Sequence, residues 1–201
     1  MAEATPPPNP RRVFVFSGKR KAGKDFLTDE LVKLLPEKSA VILRLSGPLK
    51  KAYADEHGLD FGRLLDATDY KEKYRADMVK WGEQKRNEDP EYFCRLAINA
   101  YGAEDYPIWI VSDARRLTDL DFFRETYPEA TNLCRVNARE EARARRGWCF
   151  TEGIDDAETE CGLDDIDNWD YEMDNSGFVE PDRLLGDIVR CALLALEGWK
   201  P

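Results

Sequence analysis

Lys24 follows the spacing Gly18-x-x-x-x-Gly23, and its flanks decide what that spacing can do. Before it, Val13-Phe14-Val15-Phe16 is a continuous apolar run, the pattern of a strand buried on both faces of a parallel sheet. After it, a helical pattern opens at Asp25. Strand, glycine-bounded loop and lysine at a helix start make the phosphate-cradling P-loop arrangement. Its backbone N–H groups wrap an anion and the helix N-terminus adds partial positive charge. Lys24 reaches the outer phosphates of a nucleotide. Asp25 departs from the pattern, standing where Ser or Thr usually holds magnesium.

The second candidate is Asp113, at the carboxyl end of the apolar run 107–112. Ligands of open α/β sheets sit beyond the carboxyl ends of the strands, where nucleotide enzymes keep a magnesium-organising carboxylate. The bland alternatives are a cap for the helix starting near Thr118, or a partner for Arg115. Arg115 and Arg116 follow at once, and adjacent arginines need an anion or carboxylates to neutralise them. Further cations cluster at Lys19-Arg20-Lys21, Lys71-Lys73-Arg75, Lys85-Arg86 and Arg139-Arg143-Arg145-Arg146. Taken alone, Lys71, Lys73 and Arg75 read as a solvated face paired with Glu72 and Asp77. The lone histidine, His57, precedes Gly58 and reads as a helix-end residue rather than a base.

The elements that must carry these residues alternate. Helices are expected over 23–35, from 46 to about 57, over 70–86, 90–101, 118–127, 140–146 and 181–199. Strands are expected over 13–16, 40–45, 107–113, 131–136 and, more weakly, 170–175. The first helix should bury Phe26, Leu27, Leu31, Leu34 and Leu35, and the last Leu184, Leu185, Ile188, Cys191, Leu194 and Leu196. Ser46 is the expected N-cap of the second helix, with Pro48 in its first turn. The alternation implies a three-layer α/β fold with a mostly parallel five-stranded sheet. The helical stretch 46–101 suits a substrate-binding region, and 139–162, arginines running into a glycine-interrupted acidic segment, suits a lid.

At 201 residues, with 42% hydrophobic and 35% charged side chains, one soluble domain over 11–201 is expected. Residues 1–10, with four prolines, read as a disordered leader without targeting character. The net charge of −10 is local, because eleven acids and no Lys or Arg lie between Glu152 and Asp174. The remainder is close to neutral. Its basic clusters suit a compact polyanion, whereas the overall field disfavours nucleic acid. Five scattered cysteines without metal-ligand spacing read as reduced thiols of a cytosolic protein. No apolar run is long enough to cross a membrane, and the terminal Trp199-Lys200-Pro201 is not a peroxisomal tripeptide.

Four stretches in order resemble animal-type phosphomevalonate kinases: 16–25 (FSGKRKAGKD), 43–50 (LRLSGPLK), 109–116 (WIVSDARR) and 146–151 (RGWCFT). The acidic run 155–162 (DDAETECG) is similar to that family too, and Asp after the P-loop lysine is the family's own variation. The resemblance implies a fold like nucleoside monophosphate kinases and transfer of the ATP γ-phosphoryl group to 5-phosphomevalonate. By the same resemblance Lys19, Arg20, Lys21, Ala22, Gly23, Lys24 and Asp25 bind ATP. Lys24, Arg116 and Arg146 are implied as the catalytic cations, and Arg143 and Arg146 as further contacts to the nucleotide. Lys50, Lys71, Arg75, Arg86, Arg115, Arg116, Arg135 and Asn175 are implied at the substrate, and Asp25 with Asp113 at Mg2+. The rival readings are a nucleoside monophosphate kinase and a non-catalytic ATP-dependent switch. A monomer is expected.

Overall fold

The computed structural model describes residues 9–66 and 69–200, so residues 1–8 of the expected leader lie outside it. Five strands, β1 (Arg12–Ser17), β2 (Ala40–Leu43), β3 (Ile108–Val111), β4 (Thr131–Asn137) and β5 (Tyr171–Asp174), form one sheet. Their order is β2-β3-β1-β4-β5, and every pairing is parallel. The expected five-stranded parallel sheet is therefore present, and β1 lies at its centre.

Side-chain alternation divides the core. Val13, Val15, Trp109, Val111 and Leu133 face one way, onto α5 (Tyr92–Ala100) and α6 (Leu117–Thr126). Phe14, Phe16, Ile108, Ile110 and Val136 face the other, onto α1 (Lys24–Leu34) and α9 (Pro181–Ala195). That gives three layers, as the alternation of elements required.

The first and last helices bury narrower stripes than their periodicity suggested. In α1 the buried residues are Lys24, Leu27, Thr28 and Leu31, with Phe26 and Leu34 exposed; in α9, Leu194 is exposed. Each exposed residue lies at the rim of an apolar stripe, where a half-turn decides between core and solvent. Phe26 turns instead to the mouth of the loop beneath which α1 begins.

Between β2 and β3 the chain is helical: α2 (Ser46–His57), α3 (Phe61–Leu65), α4 (Asp69–Glu88), then α5. These helices enclose their own apolar cluster of Tyr53, Ala54, Leu64, Met78, Trp81 and Phe93. His57 closes α2 with its Nδ1 near the Tyr53 carbonyl, and Gly58 follows at φ +65°. The helix-end reading holds. Ser46, in contrast, does not cap α2. Leu45 occupies that position in helical conformation, without a side-chain cap. The cap comes from Asp113, whose two oxygens accept the N–H groups of Leu45 (2.7 Å) and Ser46 (3.1 Å). α7 (Glu140–Arg145) and the one-turn α8 (Glu158–Cys161) belong to the expected lid stretch.

Candidate active site

The loop between β1 and α1 is shaped by two glycines at positive φ. Gly18, at φ +152°, leaves no room for a Cβ, which would lie 2.3 Å from the Val136 carbonyl oxygen of β4. Gly23, at φ +102°, would place one 2.3 Å from Asn175 Nδ2. Both positions are closed to an L side chain by contact and by backbone conformation. Lys24 then opens α1 and folds back, so that Nζ donates to the carbonyls of Gly18 and Lys19. It is 9% exposed. Burial brings its pKa down to about 8, helped by repulsion from Arg115 and opposed by Glu160, Asp25 and Asp113.

The loop is held from behind by the end of β5 and by α7. Asn175 Nδ2 donates to Ala22 O (2.9 Å). Arg146 donates to Lys21 O (3.2 Å), Ala22 O (3.0 Å) and the Asn175 carbonyl. Arg143 Nε donates to Arg20 O (2.9 Å), and its guanidinium stacks 4.0 Å over the Trp148 ring. A hollow of about 220 Å³ is lined by Lys21, Gly23, Lys24, Asp25, Phe26 and Arg146. Arg146 lines this hollow, while Arg143 braces the loop against Trp148.

A larger cavity, about 290 Å³, lies between the helical region and the sheet. Lys50 from α2, Lys71, Arg75 and Arg86 from α4, and Arg20, Arg115 and Arg116 all line it. Seven cations from four segments meet there, as the separate clusters in the sequence suggested. The bland reading of α4 holds in part, since Arg75 pairs with Glu72 while still facing the cavity. Burial and the nearby Lys71 lower the pKa of Lys50. Arg115 lines the cavity and its charge disfavours the charged forms of both Lys24 and Lys50.

Arg135 and Asn175, expected at the substrate, do not line this cavity. Arg135 reaches Ser17 Oγ (3.2 Å) and Asp164 (3.0 Å), because its strand runs beneath the loop rather than beside the helical region. Asn175 lies against Ala22 and Gly23, on the loop side. Asp113 neither caps α6 nor pairs with Arg115. It joins β3 to α2, and Arg115 instead pairs with Glu160.

Four acids to which the sequence reading gave no individual role organise these cations. Asp155 accepts from Arg20 (3.2 Å), Trp148 Nε1 (2.9 Å) and Thr151 N (2.8 Å). Burial would raise its pKa, but these donors hold it below the usual carboxylate value. Glu160 accepts from Arg20 N (2.9 Å) and pairs with Arg115, and Asp164 pairs with Lys19 and Arg135. Asp119 accepts from Arg115 N, Arg116 N and the Arg86 side chain. The signal for Asp119 was its place three residues into a helix start. For the others it was the acidic run itself, opposite in sign to the basic clusters.

Metal fit is decided by the donor set. Among the described residues no group of three or more His, Cys, Asp or Glu side chains could hold an ion unaided. Asp25 is exposed at the loop mouth, and its carboxylate has no partner among the described side-chain bonds. One free carboxylate beside a phosphate cradle suits Mg2+, which keeps waters and takes phosphates as ligands.

Parallel sheet, glycine-shaped loop, buried lysine and adjacent cation-lined cavity together define a P-loop α/β protein of the nucleoside monophosphate kinase type. A solved structure, TT1252 from Thermus thermophilus, shares the fold with a TM-score of 0.53 at 15% identity, covering 90% of this chain and 97% of that one. The profile of the phosphomevalonate kinase family matches residues 16–129. A phosphomevalonate kinase of Drosophila melanogaster is 43% identical over 167 residues, 82% of this chain and 88% of that protein. The chain belongs to the phosphomevalonate kinase family.

Proposed function

We propose that the chain transfers the γ-phosphoryl group of ATP to (R)-5-phosphomevalonate, giving (R)-5-diphosphomevalonate and ADP in the mevalonate route to isoprenoids and sterols. One observation carries this reading: the family match spans both the loop at 18–25 and the cavity cations Lys50, Lys71, Arg75, Arg86, Arg115 and Arg116. An acceptor with a phosphate at one end and a carboxylate at the other needs cations along its length, and the cavity provides them. In the reaction an acceptor phosphate oxygen bonds to the γ-phosphorus as the bond to the bridging oxygen of ADP breaks. That oxygen carries negative charge near neutral pH, so no base is required.

Positioning and charge neutralisation dominate such transfers. Lys24 binds the outer phosphates, Arg146 the nucleotide side, and Arg115 and Arg116 the region between donor and acceptor. Asp25 would hold Mg2+, which would supply neutralising charge at the phosphates, whereas the Asp113 carboxylate expected beside it is taken up by the Leu45 and Ser46 N–H groups. Residues 46–101 act as the acceptor region and 139–162 as the lid. The five cysteines are free thiols, and no helix among the described residues could cross a membrane. The free thiols support action in the cytosol, and we take the chain to act as a monomer.

The test is ADP release measured with phosphomevalonate against a panel of nucleoside monophosphates. Release with phosphomevalonate alone is expected. Release with a nucleoside monophosphate would support the nucleotide-kinase alternative, and release with neither a nucleotide-dependent switch.

The lowered pKa of Lys24 also sets a pH profile. Above pH about 8 the free protein loses the charge on Lys24, so kcat/KM for ATP is expected to fall about tenfold per pH unit. Bound phosphates favour the charged form, so kcat should hold to higher pH. Stability moves the other way: between pH about 8 and the usual lysine value the unfolded chain binds more protons, so the contribution of Lys24 rises with pH. A kcat/KM profile flat to pH about 9.5 would contradict this.

A further inference from the structure

The cavity's cations belong to two bodies. Lys50, Lys71, Arg75 and Arg86 ride on the helical region, whereas Arg20 on the loop after β1 and Arg115 and Arg116 on the connection from β3 to α6 belong to the core. An acceptor gripped from both sides requires their relative placement to be fixed to a fraction of an ångström. Two ion pairs join α4 to the core among the described residues, and their charges are reciprocal. Glu83 and Arg86 sit one turn apart on α4, and Arg116 and Asp119 sit one turn apart at the start of α6. Arg116 on the core pairs with Glu83 on α4, and Arg86 on α4 reaches Asp119 on the core at 2.8 Å. Sliding α4 by one turn would bring like charges together, so the reciprocal order selects one register.

Asp119 does more than close a pair. It is 1% exposed, and its second oxygen accepts the N–H groups of Arg115 (2.9 Å) and Arg116 (3.0 Å). One carboxylate thus fixes the Arg86 side chain and the backbone that carries both arginines. Glu83 takes one terminal nitrogen of Arg116. The other, Nη1, is buried and has no hydrogen-bond partner, with Glu158 no nearer than 3.9 Å. A buried guanidinium N–H without an acceptor is costly, and Arg116 lines the cavity. A ligand oxygen there would satisfy it.

We propose that Glu83 and Asp119 are positioning residues for the acceptor: the reciprocal pairs lock α4 to the core and leave Arg116 Nη1 open for an anionic oxygen of phosphomevalonate. This rests on the function proposed above. It assigns roles to two acids that touch neither ATP nor the reacting atoms.

Glu83→Gln, Asp119→Asn and the double variant test it. Both single variants are expected to raise the KM for phosphomevalonate about tenfold while the KM for ATP stays within about twofold. The double variant should lose less than the product of the two. In the ligand-free protein, hydrogen exchange across residues 79–88 should quicken in each. Glu83 is two-fifths exposed, so Glu83→Gln probes the latch even where Asp119→Asn fails to fold. An unchanged acceptor KM, or acceptor and ATP KM values rising together, would overturn the proposal and indicate a purely structural role. If the unsubstituted protein turned over no phosphomevalonate, the acceptor identity would fail instead. Exchange across 79–88 would then decide whether the latch exists.

Discussion

Replacing Lys24 with methionine is expected to lower turnover about 10³-fold, a loss of about 4 kcal/mol of transition-state stabilisation. The ammonium sits at the mouth of a loop whose glycines leave no alternative path for the chain, and its hydrogen bonds run to the loop's own carbonyls. Those bonds are local and can be exchanged for phosphate oxygens without moving the backbone. Methionine keeps the volume and the helix propensity but carries no charge. Lys24 is a buried cation whose burial disfavours its charge, so thermal stability should be kept or slightly raised. ADP release and a melting curve on the same preparation check both halves. A variant within a few-fold of full turnover would remove Lys24 from the chemistry.

Arg146→Met is expected to cost about 10²-fold or more in kcat/KM for ATP, with the acceptor KM little changed. Arg146 reaches three backbone carbonyls, those of Lys21, Ala22 and Asn175, and lines the hollow containing Lys24 and Asp25. Losing it both frees the loop from α7 and removes a cation from the phosphate side. Arg116→Met should differ in kind, raising the acceptor KM, because Arg116 lies in the larger cavity and is fixed by Glu83. Steady-state titration of each substrate separates the two arginines. Identical patterns for both variants would refute the division of the site into nucleotide and acceptor sides.

Much of this arrangement is legible in the sequence because it is local. Val13–Phe16, the glycine spacing and Lys24 lie within a dozen residues, and each depends on its neighbours rather than on distant packing. Strand runs such as 108–111 announce a sheet buried on both faces, and the basic clusters announce an anion. What the sequence conceals is pairing at a distance. Asp164 meets Lys19 across 145 residues and Arg116 meets Glu83 across 33, and neither spacing has a periodic signature. Asp113 shows the same limit in one residue. Its place at a strand end marks it as important, but only the fold shows that it caps α2, some 67 residues earlier. Phe26, Leu34 and Leu194 failed for a different reason: helical periodicity identifies a stripe but not where its edge meets water.

The acidic segment 155–164 has a consequence for how ligands come and go. With Asp155, Glu160 and Asp164 already on Arg20, Arg115, Lys19 and Arg135, the resting protein carries its own counterions, tethered to the chain. An arriving polyphosphate therefore does not meet bare cations; it trades places with carboxylates. The net attraction is the difference between two anions for the same cations, far smaller than either alone. A departing diphosphate product likewise leaves no exposed cluster behind, because the carboxylates return. Such exchange lets a site hold enough charge for phosphoryl transfer without becoming a trap for its products.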